Sequence, residues 1–365
     1  MKKSKKLAII LAVVMMFSSC QNKTNKVSDE TQTAQTQEVK KEDNKFTDDA
    51  GREVTLPENI SKIAPSGGLA QQVLLSIAPD KIVAISFAPK DEMSKKILSK
   101  IAELPEIGQF YGKGDFNAES LAQADPDVVI DVGEPKDTIS EDMDTVTSKS
   151  GKPAIFINMS FDNAAESYRK LGEVLHEEEK AEKLANYVDR VNKEVKENME
   201  KVGDKKLTFV YLTGENGLGS NPKGSFHMQM LDLFGENAFV SEEKSTKGGG
   251  NEISQEELLK LNPDVIIFGP GSVYDDVENN PVFSNLKAIQ EGKYVEAPSI
   301  PFNWIGFPPS VNRFMGAQWV GKLFYPEQFD YDLKERIKEY FELFYGYELS
   351  DEEYDKITEK AFFKK

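Results

Sequence analysis

The stretch Asn117-Ala118-Glu119-Ser120-Leu121-Ala122-Gln123-Ala124-Asp125-Pro126-Asp127-Val128-Val129-Ile130 returns 137 residues later. The second copy reads Ser254-Gln255-Glu256-Glu257-Leu258-Leu259-Lys260-Leu261-Asn262-Pro263-Asp264-Val265-Ile266-Ile267. Each copy reads as a short helix that stops at Pro-Asp and runs on into consecutive Val and Ile residues. An apolar run without alternation suits a parallel strand covered on both faces. Two such units lie too far apart for a solenoid and predict two α/β lobes.

Outward from the first copy, residues 46–54 read as two short extended runs around a polar turn at 49–51, a hairpin pattern. A short strand follows at 62–64, a Pro-Ser-Gly-Gly turn at 65–68, helical spacing over 69–77 and a strand over 81–87. Between the copies, Tyr168, Leu171, Val174 and Leu175 form one apolar stripe, and Leu184, Tyr187, Val188, Val191 and Val195 form another. Read as one rigid helix over 162–201, the stretch would span a whole domain and predict small hinge motions. The end of the chain is aromatic and helical in pattern, with a capping-box start at Ser350-Asp351-Glu352-Glu353. The expected organisation is an N-terminal lobe at 46–161, the connecting helix at 162–201, a C-terminal lobe at 202–325, and a helical tail at 326–365 packed on the C-terminal lobe.

Residues 1–19 have the form of a secretory signal: four lysines, an apolar core over 7–17, then Ser18-Ser19. Cys20, the only cysteine, follows at once, where a lipoprotein signal places its lipid-modified residue. Phe17 stands where such signals usually carry Leu. Loss of Lys2, Lys3, Lys5 and Lys6 with the signal would take the formal charge from −17 to −21. Residues 20–45 are too polar to bury a core and read as a disordered tether.

Composition removes several function classes. At 39% hydrophobic and 29% charged, the chain has material for folded cores. A net charge of −17 opposes a nucleic-acid groove, which needs a basic face. After residue 20 no apolar run approaches the ~18 residues needed to cross a bilayer. One cysteine forms no internal disulfide, and two histidines are few for a multi-histidine metal site. A surface hydrolase is the alternative from a different class, but neither Gly-x-Ser-x-Gly nor His-Glu-x-x-His occurs. Lys247-Gly248-Gly249-Gly250 resembles an anion nest without the order of a Walker A loop.

The lipoprotein-type signal, polar tether, repeated α/β lobes and connecting helix together resemble the substrate-binding proteins of ABC importers. The resemblance is specifically to the branch that binds iron–siderophore complexes, haem and cobalamin, whose members often begin with a segment like the one at 47–57. Pro301-Phe302-Asn303-Trp304-Ile305-Gly306-Phe307-Pro308-Pro309-Ser310-Val311-Asn312-Arg313 and the Gly316-Ala317-Gln318-Trp319 that continues it look like a subgroup signature. The resemblance implies two Rossmann-like lobes, no enzymatic activity and no cofactor. It also implies a lipid-anchored monomer on the extracytoplasmic side of the cell membrane that delivers its ligand to a permease and, through it, an ATPase. The ligand class implied is a metal chelate, foremost a ferric siderophore-type complex, with haem, cobalamin or a nickel or cobalt chelate as alternatives.

In such folds ligands sit at the carboxyl ends of the strands. The expected ligand-binding residues are Ser66, Gly67, Tyr111, Lys223, His227, Lys247, Asn303 and Trp304, which combine aromatic faces, lysines and bare glycine backbone. His227 is read either as a metal ligand or as structural, and Trp304 as a cleft residue or as core. Arg313 is read as structural before ligand-facing. By the resemblance, Glu119 and Glu256 dock the permease, one per lobe. The bland alternative is a solvated glutamate favoured by the start of a helix.

Overall fold

The structure, a computed structural model, describes residues 44–111, 115–242 and 250–364. Cys20 and Lys247, and with them the signal, the lipid site and most of the glycine nest, lie outside the described residues. In chain order, the N-terminal lobe carries β1 (Lys45–Thr47), β2 (Glu53–Thr55), β3 (Ile63–Pro65), α1 (Gly68–Ile77), α2 (Glu92–Ile97), α3 (Ala118–Ala124), β4 (Val128–Gly133), α4 (Ile139–Ser150), β5 (Ala154–Asn158) and α5 (Ala164–Leu175). After α6 (Glu178–Val202), the C-terminal lobe carries β6 (Thr208–Thr213), β7 (Gly219–Ser220), α7 (Gln229–Phe234), β8 (Glu236–Asn237), β9 (Asn251–Glu252), α8 (Gln255–Leu261), β10 (Val265–Phe268), α9 (Lys287–Gln290), β11 (Tyr294–Glu296) and α10 (Asn312–Phe324). The tail holds α11 (Leu333–Tyr340), a π-turn over Phe341–Tyr345, and α12 (Asp351–Ile357).

The α/β architecture expected from the repeat is present. The N-terminal sheet is parallel in the order β3-β4-β5; the C-terminal sheet runs β11-β10-β6-β7-β9, with β8 beside the start of β6. Its β11, β10, β6 and β8 are parallel, while β7 pairs antiparallel with β6 and β9 antiparallel with β7. All residues of β4 and β10 are buried, as the unbroken apolar runs require.

The two copies of the repeat fold by the same local rules. Asn117 and Ser254 cap α3 and α8, each accepting from the backbone N–H three residues on. Asp125 and Asn262 end the helices in the left-handed region, at φ 47° and 39°. The aspartates after each proline then tie the turn to the neighbouring strand. Asp127 accepts from the N–H groups of Ser61 and Lys62, both at 2.8 Å; Asp264 accepts from the N–H and hydroxyl of Thr208 at 3.0 and 2.8 Å.

Three expectations need correction. Residues 81–87 form no strand and make only isolated parallel bridges, Ile82 with Ile63 and Ile85 with Glu106. The stretch 162–201 is not one helix. His176 adopts φ 53° and ends α5, and α6 folds back on it as the second arm of a helical hairpin. Gly172 permits the contact, since a Cβ there would lie 2.5 Å from that of Ala181. Arg169 on α5 clamps Glu182 on α6 at 2.8 Å. The long helix that joins the lobes is therefore α6 alone, at about 1.5 Å per residue some 37 Å long.

Nor does the tail rest on the C-terminal lobe only. Its end does: the Trp319 indole N–H donates to the Ala361 carbonyl at 2.8 Å. Its middle crosses to the N-terminal lobe, where the π-turn packs on α1 and Phe344 meets the Tyr168 ring edge-on at 6.3 Å. An aromatic amphipathic segment states which face it buries, not what it buries it against. With the tail in place, one apolar core runs behind both lobes, from Val54 through Ile130, Tyr168, Val188 and Phe209 to Ala361.

Glu353 fastens this strap. It completes the capping box of α12 with Ser350 and accepts from Lys96 on α2 at 2.6 Å and from the Tyr347 hydroxyl at 2.7 Å. Burial alone would raise its carboxyl; the hydrogen bonds from Lys96, Tyr347 and Ser350 outweigh that and hold it down at about 2. Because the folded value lies below the unfolded one, the stabilisation is present above pH ~4.5 and is lost as pH falls toward 2. Glu353→Gln is expected to cost about 1–2 kcal/mol in urea denaturation at pH 7, and the gap from wild type should close at the acidic end. A constant gap across that range would detach the effect from the charge.

Candidate functional site

Three adjoining cavities lie between the lobes. The first, about 310 Å³, opens on Ser66, Gly67, Tyr111 and Asp131 and is faced from the other lobe by Phe226 and Pro308. The second, about 270 Å³, shares Gly68, Phe87 and Pro308 with it. The third, about 640 Å³, shares Lys90, Pro301 and Phe302 with the second and reaches Tyr211, Thr213, Asn303 and Phe307. Ser66 follows β3, Asp131 and Gly133 lie at the end of β4, and Thr213 ends β6. The cavities thus collect at the carboxyl ends of the parallel strands, where crevices form in open α/β sheets. A further groove of about 580 Å³ lies between α6 and α11, away from the strand ends.

In the first cavity Asp131 is the centre of a polar cluster. Ser66 Oγ donates to one of its oxygens and Tyr111 Oη to the other at 3.1 Å. Burial raises the Asp131 carboxyl, and the two donors partly offset that. The Lys136 ammonium sits 4.8 Å from the centre of the Tyr111 ring. Burial and the Asp131 charge push the Tyr111 phenol far up, so it serves as a donor. The sequence did carry a sign of Asp131: an acid inside the apolar run Val128-Val129-Ile130-Asp131-Val132.

Aromatic faces come from both lobes. Phe87 is 45% exposed at the cleft, and its backbone is held by Gln71. That side chain accepts from the N–H groups of Ser86 and Phe87 at 2.7 and 3.0 Å and donates back to the Phe87 carbonyl at 3.0 Å. Opposite, His227 lies flat on Phe307, ring centres 4.6 Å apart at 6°. Nδ1 of His227 lies 2.8 Å from the Gly306 carbonyl. A carbonyl can only accept, so Nδ1 carries the hydrogen and Nε2 keeps its lone pair. Burial lowers the His227 value, with Gly306 opposing and Arg313 assisting, so the ring stays neutral near pH 7.

Ser66, Gly67, Tyr111 and Asn303 therefore line the cleft, whereas His227 lines none of the three cavities and stands behind Phe307, which does. Two expected contacts are corrected. Trp304 is fully buried, edge-on to Trp319 at 6.2 Å, with its indole N–H turned to the Ile300 carbonyl at 3.3 Å. The loop presents Asn303 and Phe307 to the cleft and turns the tryptophan inward. Lys223 is exposed, paired with Glu236 at 2.5 Å, and lines none of the three cavities. Pro308 lies at the cleft; α10 starts later, at Asn312. Arg313 is buried on α10, donating to Gln229 Oε1 at 2.9 Å, and burial pushes it down to about 10 while Glu134 and Asp162 pull the other way. Among the described residues no group of three or more His, Cys, Asp or Glu is placed to hold a metal ion.

Residues 66–301 match the family described as periplasmic binding protein. The chain belongs to that family. An ABC transporter solute binding protein from Sulfurospirillum deleyianum superposes with a TM-score of 0.79 at 29% identity, covering 87% of this chain and 100% of the other. The Fe(3+)-citrate-binding protein YfmC of Bacillus subtilis is 21% identical over 61% of this chain and 68% of its own length. The uncharacterized ABC transporter substrate-binding lipoprotein YvrC of the same organism is 21% identical over 78% of this chain and 85% of its own. Family and fold make this a substrate-binding protein of the ABC-importer type, with a transported ligand and not an enzyme's cofactor. No helix of the described residues is long and apolar enough to cross a membrane.

Proposed function

We propose that this protein captures a metal chelate, foremost a ferric siderophore-type complex, and delivers it to an importer permease. The observation that carries the reading is the cleft itself. Its cavities of about 270–640 Å³ are of ligand size, far larger than a bare cation needs, and aromatic faces enter from both lobes beside a polar cluster. Flat or anionic chelates are met by such walls through stacking and hydrogen bonding. Ser66, Gly67, Tyr111 and Asn303 are the direct contacts in this reading, and His227, stacked on the cleft-lining Phe307, supports that wall from behind. The similarity to a ferric-citrate-binding protein supports iron as the metal.

Native mass spectrometry of protein purified from its own host should show a bound complex, and titration with ferric citrate or a ferric hydroxamate should give saturable heat. A ligand-free mass together with flat titrations for ferric citrate, haem and cobalamin would remove the chelate reading.

The protein works as a monomer held at the extracytoplasmic face by a lipid on Cys20, a reading supported by the signal pattern and by the naming of YvrC as a lipoprotein. Cys20→Ala should fold normally and leave the membrane fraction. Retention of the variant on membranes after a salt wash would count against the anchor. Glu119 and Glu256 are both exposed in the first turns of α3 and α8, with no side-chain partner among the described residues. They are the permease contacts in this reading.

A further inference from the structure

Among the five arginines, Arg52, Arg169, Arg190 and Arg336 each pair with a carboxylate. Arg313 is the most deeply placed, 4% exposed, and forms no such pair among the described residues. Its Nε donates to the Ser310 carbonyl at 3.4 Å, and its guanidinium lies 5.8 Å from the centre of the Phe226 ring. Among the described residues its side-chain hydrogen-bond partner is Gln229, on α7 of the same lobe. The other end of that glutamine leaves the lobe: Nε2 donates to Glu134 Oε2 at 3.3 Å, and Glu134 follows β4 on the facing wall of the cleft.

A buried guanidinium without a counter-charge is costly. Here the amide of Gln229 is oriented at both ends, its oxygen by Arg313 and its NH2 by Glu134. It transmits the arginine's preference for an anion to Glu134, which lines the 310 Å³ cavity. Asp162 also attracts Arg313, after Glu134. Glu134 lines the cavity, where an entering molecule would meet it, whereas Arg313 stays buried behind Gln229 and lines none of the three.

We propose that Glu134 is a specificity-determining residue of the cleft: it is the resident counter-anion of the Arg313–Gln229 pair, and an anionic arm of an incoming chelate takes its place at the Gln229 amide. The inference rests on the chelate-binding reading for its ligand, and on the Glu134–Gln229–Arg313 geometry for its site. An anionic chelate must displace Glu134 and leave it solvated, whereas a cationic one can keep it. The residue therefore lowers affinity for anionic ligands and favours cationic ones.

The test is Glu134→Gln, which keeps an acceptor for Gln229 and removes the charge. By titration calorimetry at low salt, the variant should bind ferric citrate about tenfold more tightly than wild type, and a cationic ferric hydroxamate more weakly. A second arm uses iron-free citrate. The variant should melt below wild type without it and recover with millimolar citrate, while wild type responds much less. Arg313→Gln added to the variant should abolish the recovery. Equal melting of Glu134→Gln and wild type, with and without citrate, overturns the proposal, as does unchanged affinity in a wild type that binds ferric citrate. If no chelate binds either protein but citrate restores the variant, the counter-anion role stands and the chelate reading fails.

Discussion

Trp304→Ala should melt well below the wild type while keeping most of its ligand affinity. The indole is fully buried and packs edge-on against Trp319, itself fully buried. Removing it leaves an indole-sized void that close-packed neighbours fill only in part, and such truncations cost about 3–5 kcal/mol. For a body of this size that corresponds to a fall of about 5–7 °C in Tm. The backbone makes the same point: the Trp304 carbonyl lies so close over α10 that a Cβ on Gly316 would stand 1.8 Å from it. Trp304 thus anchors the loop that carries Asn303 and Phe307, and any change in affinity should be secondary. Differential scanning calorimetry beside ligand titration decides the matter. An unshifted Tm with lost binding would return the tryptophan to the cleft.

Trp304 also shows where sequence reading ends. A Pro-Phe-Asn-Trp loop announces aromatic material near a strand end, but which side chain turns inward depends on whether a partner such as Trp319 waits beneath. Nothing local specifies that partner. The repeat was legible because each of its parts is a local event: a cap at Asn117 or Ser254, a left-handed stop at Asp125 or Asn262, and a covered strand. The break between α5 and α6 was missed because His176 takes the left-handed conformation where glycine or asparagine would have advertised it. Asp131 was legible in principle, as a carboxyl set among Val and Ile. Its meaning came only with Ser66 and Tyr111, brought to it from two other segments. The contact of Gln229, which holds Arg313, with Glu134 depends on the two lobes facing each other, a relation that no window of sequence contains. Lys223 shows the reverse case: a cation in a loop near the expected site, neutralised by Glu236 from β8.

Charge reversal at both Glu119 and Glu256 should abolish uptake in cells while leaving affinity in solution unchanged. The two residues are related by the repeat offset, stand at equivalent positions in α3 and α8, and are absent from the walls of the three cleft cavities. Folding should tolerate the change, since both side chains are exposed; loss of a favourable carboxylate in the first helical turn costs about 0.3–1 kcal/mol each. At an interface built to meet carboxylates with cations, lysines would set like charges against each other, and that can cost several kcal/mol. Each single reversal should lose part of the transport rate, because in the proposed docking each lobe presents its own contact. The measurement pairs uptake of radiolabelled iron by cells carrying the variants with calorimetric affinity of the purified proteins. Normal uptake by the double variant would leave Glu119 and Glu256 as helix-start residues only. Lost uptake together with lost affinity would place the damage in the fold instead of at the docking surface.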